Sequence, residues 1–406
     1  MDKKRLIYLD NAATSFPKPP QVLEAMLNFM ENVGANPGRS GHPLSKEAGK
    51  IVYETREALA RLFNIDDPLR IVFSLNVTEA INTALYGFLH EGDHVLTTAM
   101  EHNSVMRPLV YLMEKGYITY DIIPCDRRGF VDIGKIKGLI KKNTRLVVVN
   151  HASNVCGTIQ DVAAIKQEID DIPLLLDAAQ TAGVYPIDVK KLGIDMLAFT
   201  GHKGLLGPQG TGGLYMSKDI KIEPLKRGGT GSKSEDMHQP DFLPDVLESG
   251  TQNNVGIAGL GAAVRYILDT GVDKIRDHEK TLTKALIDGI YDLSTVTIYG
   301  PLDLDRQVAT VSITFDSTLS RGTEGSLGCG AINLDWFSDD IPIHDAEESL
   351  SSQYNILVRV GLHCAPMAHK TIGTFPDGTI RLSMGYFNTL EEIELVIDAI
   401  RNIAKK

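Results

Sequence analysis

Between residues 70 and 217 short apolar runs alternate with longer amphipathic stretches, and that alternation limits the fold more than any other feature. "RIVFS" (70–74), "HVLTT" (94–98), "YDIIP" (120–124), "RLVVVN" (145–150), "IPLLLDA" (172–178) and "DMLAF" (195–199) read as buried strands. Helical patterns at 78–89, 103–115, 132–141 and 161–169 lie between them. A strand buried on both faces is a continuous Val/Ile/Leu run, and consecutive parallel strands need a helical crossover. The expectation is an α/β chain whose mostly parallel sheet is covered by helices on both sides. "GTGGLYMS" (210–217) reads as a further strand, of parallel or antiparallel sense, and 255–271 as a further helix.

After that helix the texture changes. "TVTIYG", "VATVSITF", "ILVRV" and "GTIRLSMG" are strands set among helices, the pattern of a smaller α+β domain. We therefore expect a large domain over 17–270 and a small one over 271–406, joined by 1–16. The stretch 316–350 has the weakest patterning, contains the only Trp, and reads as a long excursion.

Charge and composition exclude several classes of function. The formal net charge is −11, which disfavours broad nucleic-acid binding and adhesion to an anionic membrane. No apolar run approaches the roughly 20 residues that span a bilayer, and the N-terminal stretch lacks the apolar core of a secretory signal. Four widely spaced cysteines (Cys125, Cys156, Cys329, Cys364) form no CxxC pair. That spacing argues against a disulfide framework or a zinc site and for a reducing cytoplasm; no metal is expected.

"FTGHKGLLGPQG" (199–210) sets Lys203 after a strand and before a glycine-rich loop, a costly place for a lysine unless it is paired or chemically used. In "FSLNVTEAINTAL" a strand turns into a helix near Thr78, whose free N–H groups and hydroxyl suit a phosphate. Asp177 ends the apolar strand of "LLLDAAQTAG", where ligands bind in a parallel sheet. His102 and Asn154 follow two other strand ends. Each feature has an ordinary structural reading on its own. Together they meet the needs of pyridoxal phosphate: an anion site, a carboxylate for the ring nitrogen, a flat group over the ring and a Schiff-base lysine. His202 and Thr200 lie close enough in sequence to reach the phosphate or ring.

The motifs "YLDNAATS", "TEAIN", "EHNS", "SNVCGT", "LLDAAQTAG", "FTGHKGLLGPQGTGGLY", "ESGTQN" and "VRVGLHCAP" resemble the cysteine desulfurase and selenocysteine lyase group of class V aminotransferase-fold enzymes. They occur in that group's order over nearly the whole chain except 316–350. The resemblance implies the type I fold of pyridoxal phosphate-dependent transferases, with a seven-stranded sheet in the large domain. It implies that Thr78 and the 76–78 backbone (Val77 included) bind the phosphate with His202 and Thr200. His102 would stack on the ring, Asp177 pair with its nitrogen, Gln180 bond its phenolic oxygen, and Asn154 lie near ring and substrate. Thr251 would reach the phosphate of a neighbouring subunit, making a homodimer. Arg381 would hold the substrate carboxylate, with Asn11 and His42 at the same mouth. Asn76 stands where the group often has Gly, so the phosphate turn is expected to differ slightly.

A desulfurase also needs a sulfur nucleophile. Cys364, in the polar loop "RVGLHCAPMAHKTIG", is the candidate, with Arg359 and His363 placed to favour its thiolate. The expected activity is removal of sulfur from L-cysteine as a Cys364 persulfide, with release of L-alanine to supply sulfur transfer and a sulfur-acceptor protein as partner. L-Selenocysteine is the alternative substrate, and another lyase or transamination reaction on the same fold is the alternative activity. A nucleotide-binding domain would need a GxGxxG or P-loop after the first strand, and neither is present.

Overall fold

The computed structural model describes residues 6–38, 40–233, 235–315 and 341–405. Residues 316–340 of the excursion, Cys329 and Trp336 among them, lie outside the described residues. The strands run in chain order as β1 (Ile7–Tyr8), β2 (Ile71–Ser74), β3 (Asp93–Thr98), β4 (Ile118–Ile123), β5 (Thr144–Asn150), β6 (Leu174–Asp177), β7 (Met196–Thr200) and β8 (Gly212–Met216). Strands β2 to β8 form one seven-stranded sheet in the order β2-β8-β7-β6-β5-β3-β4. Every neighbouring pair is parallel except those made by β8, which runs antiparallel to both β2 and β7. The expected mostly parallel seven-stranded sheet is borne out, and β8 takes the antiparallel sense.

Side-chain alternation explains why these strands read as unbroken apolar runs. Val147, Val149, Leu174, Leu176, Leu197 and Phe199 pack into one buried cluster. Their chain neighbours Leu146, Val148, Leu175, Met196 and Ala198 pack into another. Period-two alternation sends consecutive residues to opposite faces, so a sheet covered on both sides leaves no polar positions along its centre.

One expected helix is shorter in the structure. The 132–141 stretch forms a single 3-10 turn, Ile133–Lys135, followed by a four-residue α-helix, Ile136–Leu139. Gly134 and Gly138 each cost a helix about 1 kcal/mol relative to alanine, enough to stop a segment this short from propagating.

A second sheet is antiparallel, in the order β12-β13-β10-β9, from β9 (Val296–Tyr299), β10 (Thr310–Phe315), β12 (Arg359–Gly361) and β13 (Thr379–Ser383). Beside it β11 (Ile356–Leu357) pairs in parallel with β1. A third buried cluster joins Ile7 and Leu9 at the start of the chain to Val311, Ile313, Ile380 and Leu382 of this sheet. The amphipathic helices Val272–Ile290 and Leu390–Ile403 pack against each other and supply Leu282, Leu286, Val396 and Ile400 to it.

At the free edge of the large sheet, β2 is held by an ion pair rather than by another strand. Arg56 Nη2 lies 2.6 Å from Glu248 Oε2, with side chains only 4% and 9% exposed. Arg56 also donates to the Ile71 carbonyl, and Glu248 Oε1 accepts the Phe73 N–H at 2.6 Å. The pair thus satisfies outward backbone groups of an edge strand that leads directly into the 75–78 turn. Removing one member leaves a buried charge uncompensated. Glu248→Ala is therefore expected to destabilise the fold by about 3 kcal/mol, read as a lowered denaturation midpoint, whereas an unchanged midpoint would show that the pair is not a structural tie.

Candidate active site

Side chains from the carboxyl ends of β3, β5, β6 and β7 converge on a cleft of about 290 Å³, which Cys364 and two arginines of the smaller sheet's side also line. Asp177, the last residue of β6, sits beside Asn150 of β5 in register. Its carboxylate is buried and accepts one backbone hydrogen bond, from Ala179 N–H at 2.9 Å. Burial raises its pKa, opposed by that N–H and by the positive charge of Lys203. A carboxyl so placed favours a cationic partner.

Lys203 lines the same cleft and makes no hydrogen bond through Nζ among the described residues. Burial lowers its pKa to about 8, with Asp177 pulling the other way. Its backbone is clamped by the chain's start. Ser15 donates its N–H to the His202 carbonyl at 3.0 Å and its hydroxyl to the Lys203 carbonyl at 2.9 Å. Thr14 Oγ1 and Lys18 Nζ also donate to the His202 carbonyl, at 3.1 and 2.8 Å. A loop without regular structure thereby presents its lysine from a fixed position.

The anion-binding turn is built from Asn76 and the helix Val77–Phe88. Asn76 is extended, at φ −173°, and its side chain accepts the Glu79 N–H, capping the helix. That conformation is open to any residue, so asparagine takes glycine's usual place without backbone strain. Gly212 of β8 is the residue the turn requires. A Cβ there would lie 2.8 Å from the Phe199 carbonyl oxygen and 2.9 Å from Asn76 backbone atoms.

His102 caps the next helix, Asn103–Glu114, and its Nδ1 accepts the Ser104 N–H at 3.0 Å. Burial, then the charge of Lys203, lowers its pKa to about 4, so it is neutral with its proton on Nε2. Ser104 Oγ lies 2.8 Å from both His102 Nδ1 and Thr78 Oγ1, tying the ring of His102 to the anion turn. Sequence reasoning did not single out Ser104. Cleft atoms buried without partners among the described residues include Asn150 Oδ1, Asn154 Oδ1, Thr200 Oγ1 and His202 Nδ1.

Arg381 is 1% exposed and already paired, its Nη2 lying 2.6 Å from Asp10 Oδ1. Its Nη1 donates to the Asn154 carbonyl at 3.1 Å, while Nε is buried with no partner. Asp10 was also not foreseen, because the pairing spans 371 residues. Gln180 lines the cleft and donates to the Ala12 carbonyl at 3.1 Å. Asn11 lies instead at a smaller adjoining cavity of about 40 Å³, which shares Lys203 and Gln180 with the cleft. His42 and Thr251 are exposed and not part of this chain's cleft; His42 caps the helix Pro43–Phe63 through Ser45 N–H.

Cys364 is the exposed cysteine among the described residues, and both it and His363 have positive φ, at 59° and 48°. Arg359 Nη2 is 4.0 Å from its Sγ, and its carbonyl accepts the Asn103 N–H at 2.9 Å. Cys156 is buried, and burial pushes the Cys125 thiol up to about 12. The expectation for His363 needs correcting. It is 4% exposed, and burial, with Arg381 and other nearby bases, lowers its pKa to about 2. A neutral imidazole supplies no positive charge to a thiolate, so Arg359 is the cation beside Cys364.

The residues present fit pyridoxal phosphate. Helix N–H groups, Thr78, Thr200 and His202 suit a phosphate, Asp177 a protonated ring nitrogen, the His102 ring an aromatic face and Lys203 a carbonyl carbon. Residues 7–396 match the family pattern described as aminotransferase class-V. The chain belongs to the class-V aminotransferase family.

Members of this family depend on pyridoxal phosphate. A probable cysteine desulfurase of Methanothermobacter thermautotrophicus is 35% identical, over 98% of this chain and 94% of its own. One of Pyrococcus abyssi is 33% identical, over 99% and 95%. The apo structure of a cysteine desulfurase from Thermococcus onnurineus NA1 superposes with a TM-score of 0.86 at 33% identity, covering 98% of this chain and 95% of that one. These likenesses bear out the family reading made from the motifs. Among the described residues no single helix is long and apolar enough to cross a membrane.

A substitution at Gly212 tests the turn directly. Gly212→Ala is expected to push Asn76 outward at a cost of about 1–3 kcal/mol and to weaken retention of the cofactor's phosphate. Thermal midpoint and cofactor affinity should fall together; unchanged affinity would show that the β8 approach does not set the anion site.

Proposed function

We propose that this chain is a cysteine desulfurase that draws sulfur from L-cysteine onto Cys364 and releases L-alanine. The observation that carries the reading is one exposed cysteine, beside Arg359, in the same cleft as Lys203 and Asp177. An aminotransferase has no use for a thiol there.

When bound, pyridoxal phosphate supplies an electron sink that allows a Cα–H bond of an amino acid to break. In this reading the Val77–Phe88 helix start, Thr78, Thr200 and His202 would hold its phosphate. Thr251 of a neighbouring subunit completes that site in a homodimer, with His42 and Asn11 near the mouth. His102 would face the ring, Gln180 and Asn154 would offer it hydrogen bonds, and Asp177 would favour a proton at the ring nitrogen. Arg381, through its free Nε, and Arg359 orient the substrate carboxylate. Lys203 would hold the cofactor by its carbonyl carbon and, when free of it, would take the substrate Cα proton, for which an amine titrating near neutrality is suited. The Cys364 thiolate then attacks the substrate sulfur: an S–S bond forms as the Cβ–S bond breaks, the electron pair of that bond stays on Cβ and takes up the proton that Cys364 gave up in becoming a thiolate, and Lys203 returns its proton to Cα, so that alanine leaves. Exposure of Cys364 leaves the persulfide open to an acceptor protein.

L-Selenocysteine is the second substrate to consider. Selenide leaves more readily than sulfide, so its release rests less on Cys364. Cys364→Ala is expected to lose nearly all sulfide and alanine production from L-cysteine while keeping substantial selenocysteine cleavage. Full retention of cysteine desulfuration by Cys364→Ala would sink the proposal. Lys203→Ala should end turnover of both substrates.

The lowered pKa of Lys203 gives a pH test. Its neutral amine is the nucleophile toward the cofactor aldehyde, and its neutral fraction rises through about pH 8 rather than the 10.5 of an ordinary lysine. Reconstitution of the cofactor-free protein should accelerate from pH 7 and level off above roughly pH 9. A rate still climbing tenfold per unit at pH 10 would contradict the burial argument.

A further inference from the structure

The turnover just described leaves His363 without a task, although it lines the cleft next to Cys364. Its hydrogen bonds fix which of its nitrogens is free. His363 Nε2 lies 3.2 Å from Thr379 Oγ1, and Thr379 Oγ1 lies 2.9 Å from Ser312 Oγ. Ser312 Oγ donates to the Val155 carbonyl at 2.7 Å. A carbonyl only accepts, so the single Ser312 proton goes to Val155. Ser312 must then accept from Thr379. Thr379, its own proton spent, must accept from His363 Nε2–H.

The direction of the whole chain is thus set by its carbonyl end. His363 is held as the Nε2–H tautomer, and its Nδ1 keeps a lone pair. That atom is buried and has no partner among the described residues. The ring has little freedom to turn away: Asn154 Nδ2 donates to its backbone carbonyl at 2.7 Å, and the His369 ring packs 5.4 Å from it. Ser312 and Thr379 are themselves almost wholly buried, at 0% exposure each, so water does not compete for the chain.

We propose that His363 Nδ1 is a fixed hydrogen-bond acceptor for a thiol S–H in the cleft, with Thr379 and Ser312 as positioning residues that act through it. The proposal rests on the desulfurase reading and adds a specificity element to it. A lone pair at this corner attracts an S–H and repels a carboxylate, which leaves the substrate carboxylate to the arginines. The group accepts a hydrogen bond and does not take the proton away, because a neutral imidazole this strongly disfavoured as a cation is a poor base. The motif could not disclose this role, since Ser312, Thr379 and Val155 come from three separate stretches of the chain.

Two measurements test it. In full-length protein carrying ¹⁵N-histidine, the His363 signals, assigned by their loss in His363→Leu, should show a protonated Nε2 and an unprotonated Nδ1 across neutral pH. Thr379→Val should mix the tautomers, and Thr379→Ser should restore the single form. In single-turnover formation of the Cys364 persulfide from L-cysteine, Thr379→Val should slow the step about 10-fold and His363→Leu about 10- to 100-fold, the size of one lost hydrogen bond to a reacting group. Thr379→Ser and His363→Asn, which keep the hydroxyl and an acceptor oxygen, should each recover much of the loss, and cofactor absorbance should stay unchanged. A His363 that is protonated at Nδ1, or a persulfide step indifferent to Thr379→Val and His363→Leu, would overturn the proposal. The tautomer measurement involves no turnover, so it stands apart from a failure of the desulfurase reading, which would appear as no persulfide on the wild-type protein.

Discussion

The constraint on which this molecule turns is the burial of Asp177 and Lys203 in one cleft. Asp177 is buried and Lys203 largely so, and burial works against the charged form of each. Among the described residues neither group is neutralised by a direct hydrogen-bonded ion pair. The fold keeps them apart on two strand ends, β6 and the loop after β7, so that something with a positive end and a reactive carbonyl fits between. Much of the surrounding structure serves that separation. Residues 14–18 clamp the lysine loop, β8 brings Gly212 against the anion turn, and the Arg56–Glu248 pair secures the strand that leads into it.

Electrostatics divide the cleft. His102, His202 and His363 are all held well below the ordinary histidine range by burial, so the imidazoles there are neutral. Positive charge comes from Arg359, Arg381 and Lys203. Neutral imidazoles act through shape and hydrogen-bond direction, and two of them are fixed by their neighbours: His102 by Ser104, His363 by Thr379. Arginines, which stay charged, are left for carboxylates and for a thiolate.

Much of this was legible in the chain because its signals are local. Strand–helix alternation predicted the sheet, and the residues at strand ends predicted Asp177, His102, Asn154 and Lys203 as neighbours, which the cleft brings together. What stayed hidden depends on partners far apart in sequence. Asp10 meets Arg381, Ser15 meets Lys203, and Arg56 meets Glu248, and no spacing rule reports such encounters. The expectation that His363 favours the Cys364 thiolate needed correcting for the same reason: adjacency to Cys364 is visible in sequence, whereas the burial that keeps the imidazole neutral is tertiary. Glycine at position 212 read as strand texture, yet its function is to let Asn76 approach. The amphipathic helix Pro43–Phe63 escaped notice as well, though His42, at its N-cap, had been named for other reasons.

The central claim is that sulfur passes to Cys364, and peptide mass spectrometry after brief treatment with L-cysteine tests it most directly. The wild-type protein, digested under non-reducing conditions, should carry one additional sulfur on the peptide containing Cys364, absent when Lys203 is replaced by alanine. Added sulfur on the peptide containing Cys329, or alanine released with no sulfur on any cysteine, would contradict the account.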